Sequence, residues 1–93
     1  MPSNQIDLEK ALGSPGRIRI LVEMARNPMS LSVYRLRRLT GLKGGDIKKH
    51  LKILLESGIV EELKVDHQQK YVLNRDSPVV EALLNLFKAS RYI

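Results

Sequence analysis

The sequence predicts a single α+β domain that is mostly helical and contains one β-hairpin. A length of 93 residues accommodates one hydrophobic core. Apolar residues recur at helical spacing in several segments, and the spacing changes to alternation after Gly58. The composition, 43% hydrophobic and 28% charged, is that of an ordinary globular chain rather than a disordered one. We therefore treat residues 1–93 as one domain.

The first half of the chain contains start and stop signals for three helices. A short helix with one apolar side is predicted over residues 6–12. A Ser-Pro pair at 14–15 reads as an N-cap followed by proline at the first helical position. The helix it opens ends before an Asn-Pro pair at 27–28, because the residue before proline avoids the helical region. Ser32 then caps a third helix.

The second half contains a turn, a longer helix, a hairpin and a last helix. Gly41 favours a left-handed turn, and apolar spacing predicts a helix over about 44–57. Alternating residues over about 59–74, interrupted by a polar turn at 66–69, predict the two strands of a hairpin. A last helix is predicted over about 78–90.

This order of elements predicts a winged helix-turn-helix domain. Two helices joined by a glycine turn, at about residues 32–57, form the motif, and the hairpin after them forms a two-stranded wing. The net charge of +6 lies in the same motif, because residues 35–52 hold seven basic side chains and one acidic one, and the other charges cancel. Such a patch favours nucleic acid as a partner, with a solvated basic face as the alternative.

Three stretches of the chain resemble the ArsR-type winged helix-turn-helix regulators of bacteria and archaea. They are residues 12–21 (LGSPGRIRIL), 36–42 (LRRLTGL) and 47–60 (IKKHLKILLESGIV). The resemblance extends over about residues 8–75. It implies a sequence-specific transcription regulator, a dimeric repressor that inserts the helix at about 44–57 into the major groove of double-stranded DNA.

The predicted recognition helix has one apolar face and one basic face. Its isoleucine and leucines repeat at the spacing of a buried stripe, so helical geometry turns Lys48, Lys49 and Lys52 outward, towards phosphates and guanine edges. The helix starts with two glycines, where the resemblance implies polar side chains that read bases. Glycines allow the backbone to approach a phosphate. Asp46 favours a capping role, with acceptance from cytosine as the alternative.

The residues predicted to contact DNA lie on both motif helices and on the wing. The arginines of the first motif helix are expected to clamp phosphates, with ion pairs to Glu23 or Glu56 as the alternative. The wing is expected to touch the DNA backbone, with a plain surface hairpin as the alternative. The full set is Arg35, Arg38, Lys43, Gly44, Gly45, Asp46, Lys48, Lys49, His50, Lys52, Lys64, Gln68 and Lys70.

No residue pattern predicts a metal site or catalysis. His50 favours packing or a phosphate contact over metal binding, and His67 is expected to be exposed in the wing tip. The chain contains no cysteine, and two histidines in separate elements do not form a convincing metal site. Paired nucleophiles and bases, phosphate loops and metal clusters are missing. We therefore expect no enzymatic activity, no cofactor and no metal ligand.

The last helix is more apolar than a helix that covers one small core needs to be. The resemblance implies that the first and last helices form a homodimer interface. Coverage of the protomer's own core is the alternative. The predicted interface residues are Leu8, Leu12, Val80, Leu83, Leu84 and Phe87.

Two other functions stay open when the residues alone are considered. A winged helix can be a protein-interaction module, and a basic face does not distinguish DNA from RNA. No apolar run approaches the roughly 18 residues of a membrane span. The first residues lack the pattern of a signal peptide. We expect a cytoplasmic protein without a membrane partner.

Overall fold

The computed structural model describes residues 6–93, which form five helices and a two-stranded antiparallel sheet. The order of elements is the one predicted from the sequence, and the winged helix-turn-helix fold class is confirmed. The elements are α1 Leu8–Leu12, α2 Pro15–Arg26, α3 Val33–Thr40, α4 Gly44–Glu56, β1 Val60–Val65, β2 Gln68–Leu73 and α5 Pro78–Ala89.

Serine caps start three of the helices. The hydroxyl of Ser14 accepts from the backbone N–H of Arg17 at 3.4 Å, and Ser32 caps α3 in the same way. Ser77 caps α5, which begins with proline as α2 does. Each cap satisfies an N–H group that has no partner inside the helix. The start signals in the sequence therefore work locally, through bonds over two or three residues.

A single hydrophobic core joins all the elements. It contains the apolar sides of α2, α3 and α4, the inner face of the wing and one stripe of α5. Ile20, Leu36 and Ile47 are completely buried in it. No helix in the described part of the chain is both long and apolar enough to cross a membrane.

The chain leaves α4 through a Schellman turn that directs it into the wing. Gly58 has a φ of 78°, in the left-handed region that glycine enters without strain. The N–H of Ile59 donates to the carbonyl of Leu54 at 3.2 Å, and both side chains are buried. The turn therefore closes the helix and places the first wing residues in the core.

The wing turn is shorter than predicted. The prediction of a four-residue turn at 66–69 is wrong, because Gln68 and Gln69 belong to β2. Only Asp66 and His67 connect the two strands. Both have positive φ, 51° and 69°, which is the requirement of a type I′ hairpin turn. The usual sequence signal for this turn has glycine second. Because His67 takes the place of that glycine, the sequence does not show the usual signal for this turn.

The wing is also paired to the link before α3. The N–H and C=O groups of Leu31 and Tyr71 exchange two hydrogen bonds of 2.8 Å each. Leu31 directly precedes the cap of α3, so the bridge ties the start of the motif to the second wing strand. The wing therefore has a set position relative to the motif helices.

Part of the predicted dimer interface lies inside the protomer. Val80, Leu83 and Phe87 of α5 are buried in the core, which leaves them little surface for a partner. These three side chains cover the core of their own protomer, which is the alternative that the sequence left open. Leu12 and Leu84 are half-buried, and Leu8 is 50% exposed.

The residues that follow α5 contact α2. Arg91 has a φ of 64°, and the N–H of Tyr92 donates to the carbonyl of Phe87 at 2.8 Å, which is a second Schellman turn. The two aromatic rings meet edge to face at 6.3 Å. Arg26 of α2 donates from Nε to the Tyr92 carbonyl at 3.0 Å. This contact holds the end of α5 beside α2.

The wing turn generates the first testable prediction. Replacing His67 by glycine should raise the free energy of unfolding by about 0.5–1 kcal/mol, because glycine adopts a positive φ without steric cost. Urea unfolding checks the change. Gly58→Ala is the matched control: a Cβ there meets nothing within 4 Å, so backbone strain alone should lower stability. An unchanged or lower midpoint for the His67 variant would contradict the strained turn.

Candidate nucleic-acid interface

Thr40, the last residue of α3, forms hydrogen bonds on both sides of the turn between the two motif helices. Its hydroxyl donates to the carbonyl of Leu36 at 2.7 Å and accepts from the N–H of Leu42 at 3.1 Å. One side chain therefore spans the turn, with Gly41 in the left-handed conformation between the two bonds. The sequence interpretation did not single out Thr40. The position of Thr40 directly before the turn glycine was the only sequence feature that could have indicated this role.

The rotation of α4 places three lysines on its outer face. Ile47, Leu51 and Leu54 are buried, and their spacing turns the opposite side of the helix to solvent. Lys48, Lys49 and Lys52 are all exposed there. The structure thus puts these three predicted residues together on one surface, which we call the lysine face.

Within residues 6–93, no ion pair neutralises the positive charge of the motif. Between Ile6 and Ile93 the single ion pair joins Arg26 to Glu23, at 3.2 Å. Glu23 is therefore occupied by Arg26, and neither it nor Glu56 pairs with the arginines of α3. The alternative of internal ion pairs for Arg35 and Arg38 is not what the structure shows. The charge stays available for an anionic partner.

The start of α4 is open and lacks a side-chain cap. Lys43 is the N-cap residue and makes no capping hydrogen bond with its side chain. Asp46, for which a capping role is expected, is an exposed carboxylate in the first turn of α4. Asp46 lies on the third residue of the helix, where it still interacts favourably with the helix dipole. A Cβ on Gly45 would meet nothing, so this residue leaves the backbone accessible.

His50 lies on the inner side of α4 rather than on the lysine face. Its Nδ1 accepts from Nη1 of Arg17 at 3.2 Å, and its ring lies so close to α2 that a Cβ on Gly16 would be 2.7 Å from Nε2. This is the packing alternative that the sequence left open. Burial lowers the pKa of His50 and Arg17 lowers it further, against the opposing effect of Asp46. The neutral ring therefore holds the recognition helix against α2.

A groove separates the motif from the wing. Its volume is about 700 Å³, and it brings Lys48 of α4 and Gln68 of β2 from the predicted set into one site. The other lining residues are Ser32, Val33, Tyr34, Gln69 and Tyr71. Lys64 and Lys70 lie on the two wing strands, opposite Gln69 and Leu63 respectively. The groove continues the lysine face onto the wing.

The described residues contain no cluster of three or more histidine, aspartate or glutamate side chains that could hold a metal ion. His50 is engaged by Arg17, and His67 is exposed in the wing turn. What the surface offers instead is an array of cations and neutral hydrogen-bond donors. Phosphates and base edges are the groups that such an array recognises.

These features define a DNA-binding winged helix-turn-helix regulator. The chain belongs to the ArsR family of bacterial regulatory proteins, whose profile matches residues 14–62 and so covers both motif helices and the start of the wing. No curated protein sequence matches the chain. The family membership agrees with the resemblance seen in the sequence.

Solved structures of similar proteins support this assignment. A predicted DNA-binding transcriptional regulator from E. coli is 25% identical, with a TM-score of 0.76 over 89% of this chain and 84% of that one. The transcriptional repressor BigR from Xylella fastidiosa is 27% identical, with a TM-score of 0.73 over 88% and 80%. The homodimeric DNA-binding domain of Mb0332 from Mycobacterium bovis is 24% identical, with a TM-score of 0.72 over 90% and 74%.

The His50 contact predicts a pH dependence of stability. Because the pKa of His50 in the folded protein lies below the ordinary 6.5, the unfolded chain binds more protons as the pH falls past that value. The free energy of unfolding should therefore be level above about pH 7 and should decrease from there towards about pH 5.5. Urea unfolding at a series of pH values measures it.

A His50→Gln variant should lose this dependence over the same pH range. His67→Asn is the matched control, because it removes the other histidine and asparagine tolerates positive φ. That variant should keep the decrease. The assignment to His50 is wrong if the glutamine variant declines as steeply as the parent protein.

Proposed function

We propose that the protein is a homodimeric repressor that binds a palindromic site in double-stranded DNA, with α4 in the major groove. The observation that carries the proposal is the lysine face: Lys48, Lys49 and Lys52 are exposed together without an ion partner in the described residues, on the second helix of the motif. An α-helix fits the major groove, where lysine binds phosphates and the O6 and N7 atoms of guanine.

The other residues predicted to contact DNA have different roles in this proposal. Arg35, Arg38 and Lys43 bind backbone phosphates beside the groove, as the first helix of such motifs does. Gly44 and Gly45 let the backbone of α4 approach the DNA, and Asp46 accepts from the amino group of cytosine. The wing residues Lys64, Gln68 and Lys70 contact the backbone of the next groove.

A homodimer through α1 and α5 fits the distribution of exposed apolar side chains. Leu8 is 50% exposed and Leu86 is 55% exposed, and Leu12 and Leu84 are only half-buried. Covering these side chains with a second copy gains apolar burial of about 25 cal/mol per Å². A two-fold dimer then places two recognition helices about one DNA turn apart. Mb0332, which has the same fold, is homodimeric.

As a regulator of this kind, the protein acts in the cytoplasm and catalyses no reaction. Repression follows from occupancy, because a dimer bound over two half-sites blocks access to that DNA. BigR, a relative of similar fold, is a transcriptional repressor.

The lysine face is tested by DNA titration at several salt concentrations. Lys48→Ala/Lys49→Ala should weaken binding to the protein's own promoter duplex at least tenfold. It should also lower the slope of log affinity against log salt by about four, because the dimer loses two phosphate contacts in each subunit. Arg75→Ala/Arg91→Asn is the control with the same charge change at two exposed arginines outside the motif, α1 and α5, and it should bind normally. Equal binding by both variants would remove α4 from the DNA interface.

The dimer is tested by sedimentation velocity. Leu8→Glu/Leu86→Glu should give monomers, because both positions are exposed in the protomer and carry the proposed contact. Leu83 is unsuitable, since it is only 7% exposed and its replacement would disturb the core. Met29→Glu, which charges another exposed apolar side chain outside α1 and α5, should remain dimeric. Survival of the dimer in the double variant would refute this interface.

A further inference from the structure

Tyr34 is an exposed aromatic residue in the middle of the basic surface. Its side chain is 62% exposed on the first turn of α3 and lines the groove between the motif and the wing. No role in the core explains it, because the inner side of α3 is formed by Leu36 and Thr40. Neither the sequence interpretation nor the interface proposed above assigns it a function.

Arg38 holds the Tyr34 side chain in place. One helical turn further on, Arg38 donates from Nη1 to the Tyr34 hydroxyl at 3.0 Å, and its guanidinium carbon lies 5.9 Å from the ring centre. The hydroxyl therefore accepts from a cation and keeps its own hydrogen free to donate. A donor polarised in this way binds an anionic oxygen more strongly than a free phenol does.

The groove around Tyr34 is lined by donors. Lys48 supplies a positive charge, and Gln68 and Gln69 supply side-chain amides. Val33 lines the same groove and is the first residue of α3, so the positive end of that helix dipole lies there.

The second phenol in the groove is not free to act in the same way. Tyr71 is buried and lies directly across the sheet from Glu62. Burial, followed by the charge of Glu62, raises the pKa of Tyr71. Tyr34 is thus the tyrosine that faces the open groove.

We propose that this groove binds a phosphodiester of the DNA backbone, with the Tyr34 hydroxyl, held by Arg38, as a donor beside Lys48. The inference rests on the proposed DNA-binding function and adds a specific phosphate site at the junction of α3, α4 and the wing. Phosphate oxygens take hydrogen bonds from tyrosine, glutamine, lysine and helix N-termini, which are the groups assembled here. Because a phosphate carries no base identity, the site positions the protein rather than selecting a sequence.

Titrations of three single variants test the site. Tyr34→Phe should weaken binding by about a hundredfold, because the dimer loses in each subunit one hydrogen bond to a charged group, which contributes about tenfold. The loss should be equal on own-promoter and random-sequence duplexes, and the salt slope should not change because no charge is removed. Lys48→Ala should reduce the slope by about two, because each subunit of the dimer loses one phosphate contact. Tyr92→Phe, at a tyrosine outside the groove, is the control and should bind normally.

A double variant tests the role of Arg38. Arg38→Lys keeps the charge but loses the planar donor group that fixes the phenol. If Arg38 acts through Tyr34 in addition to its own phosphate contact, the loss in Tyr34→Phe/Arg38→Lys should be smaller than the sum of the two single losses. Fully additive losses would overturn the positioning role of Arg38.

The outcomes separate this inference from the proposed function. No DNA binding by the parent protein would refute the function itself. Normal binding by Tyr34→Phe, with a strong loss in the Lys48/Lys49 variant, would refute the phosphate site alone. A Tyr34→Phe defect confined to the promoter duplex would mean that Tyr34 reads a base, which also overturns the phosphate assignment. The exposed ring is retained in phenylalanine, so unchanged urea unfolding should accompany each result.

Discussion

The burial of the apolar stripe of α4 is the constraint on which the rest of the structure depends. Ile47, Leu51 and Leu54 are removed from water almost completely, and each such side chain contributes about 1.5–3 kcal/mol when it is buried. Rotating α4 by even one residue would expose part of this stripe. Its lysines are therefore held on the outside, although their mutual repulsion makes that arrangement unfavourable in the free protein. Thr40 connects the two sides of the turn that leads into the helix, through its bonds to Leu36 and Leu42.

Two further contacts keep the surface rigid on either side of α4. His50 packs against Gly16 and accepts from Arg17, which fixes the helix to α2. The Leu31–Tyr71 bridge fixes the wing to the start of α3. The groove between motif and wing therefore has set walls before any partner arrives. Preorganisation of this kind reduces the entropy that ordering a binding surface otherwise costs.

The chemistry of the surface follows from what the protein leaves unpaired. The single ion pair of residues 6–93 lies on α2, away from the lysine face. The motif thus carries the whole net charge of +6 into solution, where salt screens it only in part. Release of counterions on contact with DNA supplies the main driving force for such a surface, whereas neutral groups such as the Tyr34 hydroxyl supply geometry. Membership of the ArsR family agrees with this division of roles.

The order of the elements, the helix starts and the location of the charge could all be predicted from the amino-acid sequence. The helix starts and the apolar periodicity depend on residues two to four positions apart, as at Ser14 and Ser77, so local rules suffice. Other features depend on contacts between residues far apart in the chain, so they are seen only in the folded structure. Arg17 turns His50 inward, the core takes up Val80, Leu83 and Phe87, and the register of the wing reduces its turn to Asp66 and His67. The role of Tyr34 could not be predicted from the sequence, because the groove that it lines forms only when the wing packs beside α3.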